Sequence, residues 1–358
     1  MSYGSAVLTQ CENLQGQLDD FWETCDASRL KEPTPFFDFI LSPFNNFGLD
    51  QVVNPGKGKT RTINLTFFQR INEDNVQENQ TNPNCSSDRK RGNCVEQYEI
   101  DTDANLQVDE FIEASDLRTV CQDDGTYLRN VIDRLVNVLE RRVATKTTEE
   151  AAALTGTWDT EVNSNPDITV DGQNRLVVRT RRAGALDEIF PWTMQNIDLA
   201  LNQTGYCGTP ICFSDAELFQ YYGKVLQGCC ADQGVDLGEL ARVHGKAVAY
   251  DRRIRAAFGD GEALVIQPGA QALLMYSQNE FFDDAGVRSI WGTGDFTHMV
   301  IFGPSGLKMD LNLQTTCGGL QVVLTATTQL VSLPDDQFGT GDSKDGVKWA
   351  NVILVDNS

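Results

Sequence analysis

An α+β fold is the class this sequence predicts, and three observations carry it. Apolar residues recur at helical spacing between Asp124 and Leu154, β-rich sequence flanks that stretch on both sides, and a strictly alternating run stands near the end of the chain. Leu128, Val131, Ile132, Leu135, Val138, Leu139 and Val143 fall three or four apart, so one helix face carries them. Arg129, Asp133, Arg134, Asn137, Arg141 and Arg142 take the opposite face. Asp123 and Asp124 stand where a carboxylate caps free N–H groups, and Gly156 stops the run. A helix over 124–154 would hold roughly 30 residues and measure about 45 Å. Ordinary globular helices have about a dozen residues. Two readings suit one so long: the central helix of any α+β domain, or a spine joining parts that do not otherwise pack together.

Taken in order, residues 1–54 mix polar stretches with Phe36-Phe37-Asp38-Phe39-Ile40-Leu41, a run that Pro35, Pro43 and Gly48 mark as irregular. So aromatic a segment must bury itself, either on its own domain or on a neighbouring subunit. Thr60–Gln69 and Val95–Asp101 alternate like two strands of a hairpin. The stretch between them is almost wholly polar and long for a connection inside a compact domain. A lone hairpin is marginal in water. The sequence therefore predicts a projecting flap that needs an outside surface.

Beyond the long helix, 156–174 is turn-rich and 175–181 reads as a strand. From about 190 to 300 helix and strand signals mix as in an α/β lobe. Ser214 and Glu217 form a capping-box pattern, Leu237–Val243 reads as a short helix, and Ala247–Tyr250 and Ala263–Ile266 as buried strands. Leu307, Met309, Leu311 and Leu313 alternate with Lys308, Asp310, Asn312 and Gln314, a half-buried strand with its polar residues in water. Leu320–Leu333 is β-prone, and Val347–Val355 adds a final strand.

At 358 residues the chain has room for one large or two to three modest domains. With 41% hydrophobic and 22% charged residues it should fold. A net charge of −22 argues against gripping nucleic-acid phosphates, though not against enclosing nucleic acid without holding it. The first basic residue is Arg29 and no apolar run reaches membrane-spanning length, so neither a secretion signal nor a membrane span is expected.

Ten cysteines and two histidines give no CxxC pair, and Cys207 and Cys212, at a spacing zinc tolerates, have no partner pair. Most of the thiols read as small buried hydrophobes. Cys85 and Cys94 differ, because they bracket the basic tip Ser86–Asn93 of the flap. A disulfide there would close a small loop; two free thiols is the other reading.

Catalytic patterns fail on inspection. Gly56-Lys57-Gly58-Lys59-Thr60 lacks the glycine a phosphate loop needs at position 53, which is Val53. Asp101–Ile112 lacks the glycine and the bidentate acid of a calcium loop. Gly303-Pro304-Ser305-Gly306 lacks the second glycine of a nucleophile elbow, and His244 and His298 have no partner nearby in sequence. No catalytic, cofactor-binding or metal residue is assigned, and the reading is of a protein that is not an enzyme.

Aromatic arm, polar-tipped flap, spine helix, α/β lobe and closing strands, in that order, resemble the major capsid protein of tailed bacteriophages, the Hong Kong 97 type. The resemblance is strongest over Thr60–Leu154, and it rests on element order because the family has no diagnostic short motif. It implies an N-terminal arm at 1–56, an extended β-hairpin loop at 57–105, and a peripheral domain at 106–189 with its spine helix at about 124–154. It further implies an α/β axial domain at 190–306 and a return to the peripheral domain with C-terminal strands at 307–358.

The implied partner is the chain itself, in hexamers and pentamers tiling an icosahedral shell around double-stranded DNA that is enclosed without sequence-specific binding. Portal, scaffolding and decoration proteins are further implied partners, no cofactor or membrane is, and the location is the virion, assembled in host cytoplasm. Family members that crosslink do so through a Lys–Asn bond whose residues cannot be placed here; a disulfide would be a substitute. Two alternatives stay open: an encapsulin-like compartment enclosing a cargo enzyme, and a soluble α/β enzyme or binding module.

Overall fold

The computed structural model describes residues 18–20, 22, 33–42, 51–54, 60–68, 93–101, 103–116, 126–154, 165–170, 176–180, 193–203, 210–220, 242–243, 246–258, 261–266, 268–280, 296–316, 318–332 and 352–356. The aromatic run forms a helix, α1 (Pro35–Leu41), where an irregular segment was expected. Pro35 opens it at a position where the missing N–H costs nothing. The spine is α2 (Thr126–Ala153), 28 residues and about 42 Å long. Asp123 and Asp124, its expected caps, and Gly156, its expected stop, lie outside the described residues.

Of the expected stripe on α2, Leu128, Val131, Ile132, Leu135, Leu139 and Val143 are buried. Val138 is not: it is 48% exposed, while Val136 is fully covered. The stripe is wider than its sequence pattern because α2 is packed on more than one side. Strands cover one side, and α1 and a short helix, α4 (Arg253–Phe258), add others. Leu18 is buried too, and the Trp22 Nε1 donates to Asp133 Oδ1 of α2 at 2.8 Å.

Under α2 lies a five-stranded antiparallel sheet of β4 (Leu106–Glu113), β11 (Gln271–Tyr276), β12 (Phe296–Phe302), β13 (Lys308–Thr316) and β14 (Gly319–Ser332). β14 is its axis. Gly319–Thr325 pairs with both β4 and β13, and Thr327–Ser332 pairs with β11. Met309, Leu311 and Leu313 of β13 join Leu320, Val322 and Leu324 of β14 in the core beneath α2. Thr328 and Leu330, two apart, turn their backbone groups to one edge. Side chains of α2 meet them there: Lys146 Nζ donates to Thr328 O at 2.9 Å, and Leu330 N donates to Glu150 Oε2 at 2.9 Å. The helix thus caps a sheet edge as well as covering a face.

Gly319 of β14 pairs with Glu113 of β4 and leaves no room for a side chain. A Cβ there would stand 2.0 Å from the Ile112 carbonyl oxygen, at a φ of +156°. Gly319→Ala is therefore expected to cost more than about 2 kcal/mol, read as a lower urea midpoint of the unassembled chain. An unchanged midpoint would refute the close approach.

A second, mixed sheet has seven strands in the order β5 (Ile168–Val170), β6 (Leu176–Arg179), β15 (Val352–Asp356), β10 (Gly261–Ile266), β7 (Ile211–Ser214), β9 (Lys246–Tyr250), β8 (Arg242–Val243). Ala263–Ile266 of β10 is fully buried, as suits a strand covered on both faces. Helix α3 (Thr193–Gln203) lies beside β6, and α4 beside β10.

Three local expectations need correcting here. Arg242–Val243 is a strand paired with β9, not the end of a helix. β5 lies in a stretch read as turns. The helical residues 216–220 are capped by Asp215 rather than Ser214, since Asp215 Oδ1 accepts from Glu217 N at 3.1 Å and Leu218 N at 3.0 Å. Ser214 is spent as the last residue of β7. Strand pairing also cuts across chain order: β11 and β12 join β4, while β5, β6 and β15 join β7–β10.

The third sheet is the flap. β2 (Thr60–Phe68) and β3 (Asn93–Asp101) pair antiparallel from Thr60↔Asp101 to Phe68↔Asn93, and β1 (Gln51–Asn54) adds a third strand along β2. Two strands were expected; the third comes from the stretch read as arm.

Candidate assembly surfaces

Among the described residues, no helix or strand outside the flap packs broadly against it. Its root is fixed by a tight turn. Asp103 N donates to Asp101 Oδ1 at 2.9 Å and Ala104 N to Asp101 O at 3.2 Å, so the stretch that begins like a calcium loop uses its first carboxylate on its own backbone. Ile100 at the root is buried. Glu99, Asp101, Asp103, Asp109, Glu113 and Asp116 are exposed, which makes the root and the strand after it acidic.

The aromatic segment behaves in the opposite way. Phe36, Phe37, Phe39 and Ile40 are buried within their own chain. The Phe213 ring of β7 stands 5.3 Å from Phe36 in an edge arrangement and 5.4 Å from Phe39. Asp251 ties the backbone down: its Oδ2 accepts from Phe36 N at 3.2 Å and its Oδ1 from Arg253 N at 3.0 Å. Arg253 Nη1 lies 3.7 Å from Asp251 Oδ1 and donates to Pro33 O at 3.1 Å. Of the two destinations left open for this segment, the structure selects its own domain.

Two buried carboxylates fasten loops to the body. Glu140 of α2 accepts from Ser305 Oγ at 2.5 Å and Ser305 N at 3.2 Å, and a Cβ on Gly303 would meet its Oε1 at 2.2 Å. The Gly303–Gly306 turn, set aside as a hydrolase motif, thus clamps the spine helix.

Asp310 of β13 was expected in water and is buried instead. It accepts from Ser277 Oγ at 2.5 Å, Gln278 N at 2.8 Å and Asn279 N at 3.3 Å, because residues 277–280 cover that face of the sheet. Ser277 also accepts from Glu280 N at 3.0 Å, a capping arrangement that the spacing Ser277-Gln278-Asn279-Glu280 could have announced.

Burial holds the Asp310 carboxyl above the ordinary 3.8, outweighing the hydrogen bonds that pull it down. Between its unfolded and folded values the folded state therefore binds more protons. Its contribution to stability is largest below 3.8 and declines as pH rises through the folded value. The stability of wild type relative to Asp310→Asn should therefore rise from neutral to mildly acidic buffer, read by urea midpoints; a relative stability that falls would contradict the raised pKa.

Among the described residues no group of three His, Cys, Asp or Glu side chains could hold a metal ion, and no helix is long and apolar enough to cross a membrane. His298 and Cys212 are buried. Cys94 lies in β3 opposite Phe67, and Cys85 falls outside the described residues.

No family model matches the chain, and no curated protein does. Solved structures are similar to it over most of its length. A chain of the cyanophage P-SCSP1u capsid shares 12% identity, with 95% of this chain and 94% of that chain covered, at a TM-score of 0.47. A chain from Mycobacterium phage Bobi shares 12%, with 96% and 98% covered, at 0.41. A chain of the satellite phage P4 procapsid, determined with its size determination protein, shares 10%, with 97% and 98% covered, at 0.34.

Proposed function

We propose that this chain is the structural subunit of a closed icosahedral shell, a major capsid protein of the Hong Kong 97 kind enclosing double-stranded DNA. The observation that carries the reading is the flap. It is a three-stranded sheet against which no described element outside it packs broadly, rooted on a body that is otherwise two sheets and a spine helix. A small sheet in water gains stability by resting on a further surface, and repeated copies in a closed lattice supply one without endless fibres.

On this reading the extended loop is 57–105. The peripheral body is the five-stranded sheet with α2, and the axial body is the seven-stranded sheet. Strand pairing then moves β11 and β12 to the first and β5, β6 and β15 to the second. Hexamers and pentamers, a portal, scaffolding or decoration partners, and assembly in host cytoplasm belong to the same proposal. A Cys85–Cys94 bridge in the mature shell belongs to it as well; peptide mapping of unreduced particles that finds both thiols free would remove it.

Negative-stain imaging and sedimentation of the expressed chain test the whole. Closed shells are expected, and nuclease-protected DNA inside particles from infected cells distinguishes a capsid from a cargo compartment. A monodisperse monomer at all concentrations would overturn the proposal.

A further inference from the structure

Val138 is 48% exposed on a helix whose valines and leucines from Leu128 to Val143 are otherwise buried. At 3.6 residues per turn, Arg134, Arg141 and Arg142 surround it, and all three are exposed. Arg134 reaches its own chain's Glu110 at 2.6 Å, yet its side chain stays 65% exposed. Arg141 Nε donates to Asn137 O at 3.1 Å. Glu149, about three turns beyond Val138, is the exposed carboxylate of this face. An apolar centre rimmed by three arginines is unusual ground in a chain of net charge −22.

The complementary pattern stands on β4. Leu106, Val108 and Ile112 turn inward and Glu110 meets Arg134 of α2, so Gln107, Asp109, Phe111 and Glu113 turn to the far side of the sheet. Phe111 is 50% exposed, with Asp109 and Glu113 on either side. Its ring lies over Gly318 and Gly319, where no side chain competes for the space.

We propose that the outer face of α2, centred on Val138, docks the Phe111 face of β4 in a second copy of this chain. Arg141 and Arg142 meet Asp109 and Glu113 while Phe111 covers Val138. A nucleic-acid phosphate would satisfy the arginines but leave Val138 wet; a second copy satisfies both. The two patches lie on opposite faces of the layer that α2 makes with the sheet, so neighbouring copies overlap like shingles. The contact is heterologous, with each copy giving one patch of each kind. This inference rests on the shell reading only in requiring a second copy.

Two variants test it: Arg141→Glu with Arg142→Glu, and Asp109→Lys with Glu113→Lys. All four residues are exposed, so both chains should melt as wild type does. Each alone is expected to self-associate about tenfold or more weakly in sedimentation velocity, because like charges now face each other. An equal mixture should regain association, since each reversed face finds its opposite on the other variant. Either variant associating as wild type, or two folded variants that stay apart when mixed, would overturn the contact. Normal shells from the reversed chains would sink this contact and leave the shell reading standing. Open oligomers obeying the reversal-and-mixing rule would do the opposite.

Discussion

Replacing residues 62–99 by Asn-Gly is expected to leave a folded chain that melts within about 5 °C of wild type and forms no shells. The register makes the graft geometrically simple. Arg61 pairs with Ile100, and paired Cα atoms of antiparallel strands stand about 5 Å apart, a gap that an Asn-Gly turn closes. Ile100, which is buried, is kept. The excised strands pair with each other and with β1, so the two larger sheets lose no strand. β1 loses its partners at Thr62–Leu65, a local cost. Circular dichroism melting and negative-stain imaging read the two halves of the expectation. Shells of ordinary appearance from the shortened chain would remove the flap, and with it the argument for a lattice.

What could be read from the sequence was whatever local periodicity encodes. The spacing of Leu128 to Val143 gave the spine, and the alternation of Leu307 to Leu313 gave β13. The errors over burial share one cause, which is that a neighbour remote in sequence decides which face is wet. Asp310 alternates as a solvent residue should, but residues 277–280 fold over it. Val136 and Val138 are chemically identical; what separates them is packing on α2 that a single-stripe pattern does not encode. The seven-stranded order was beyond reach for the same reason. β15 enters between β6 and β10 from the far end of the chain, and no local pattern names those partners. The flap was legible as a hairpin, but its third strand is four residues long and precedes a Pro-Gly pair, too short for alternation to register. As for the candidate surfaces, Phe111 and Arg141 look ordinary in sequence. Only the sheet, by fixing which side of β4 faces α2, makes them complementary.

Asp251→Ala is expected to be the most damaging single substitution in the body. Asp251 is 2% exposed and serves two helices at once: Arg253 N of α4 and Phe36 N of α1 both donate to its carboxylate. It also faces the Arg253 guanidinium, itself buried and holding Pro33 O. Removing one partner of a buried ion pair typically costs about 3–5 kcal/mol, because the remaining charge is stranded without solvent. A whole domain is stable by only about 5–15 kcal/mol, so the loss is a large share. Asp251→Asn should fall in between, since one oxygen still accepts while the new amide opposes a backbone N–H. The loss has a direction as well as a size. With Phe36 N released and the Arg253 that holds Pro33 O left without its carboxylate, the start of α1 loses part of its anchorage, and limited proteolysis should cut the N-terminal segment sooner than the rest of the chain. Urea midpoints of the unassembled chain give the magnitude, and the order of proteolytic fragments gives the direction. A variant within about 1 kcal/mol of wild type, or one cleaved first elsewhere, would show that the Phe213 ring and its neighbours hold α1 without the carboxylate.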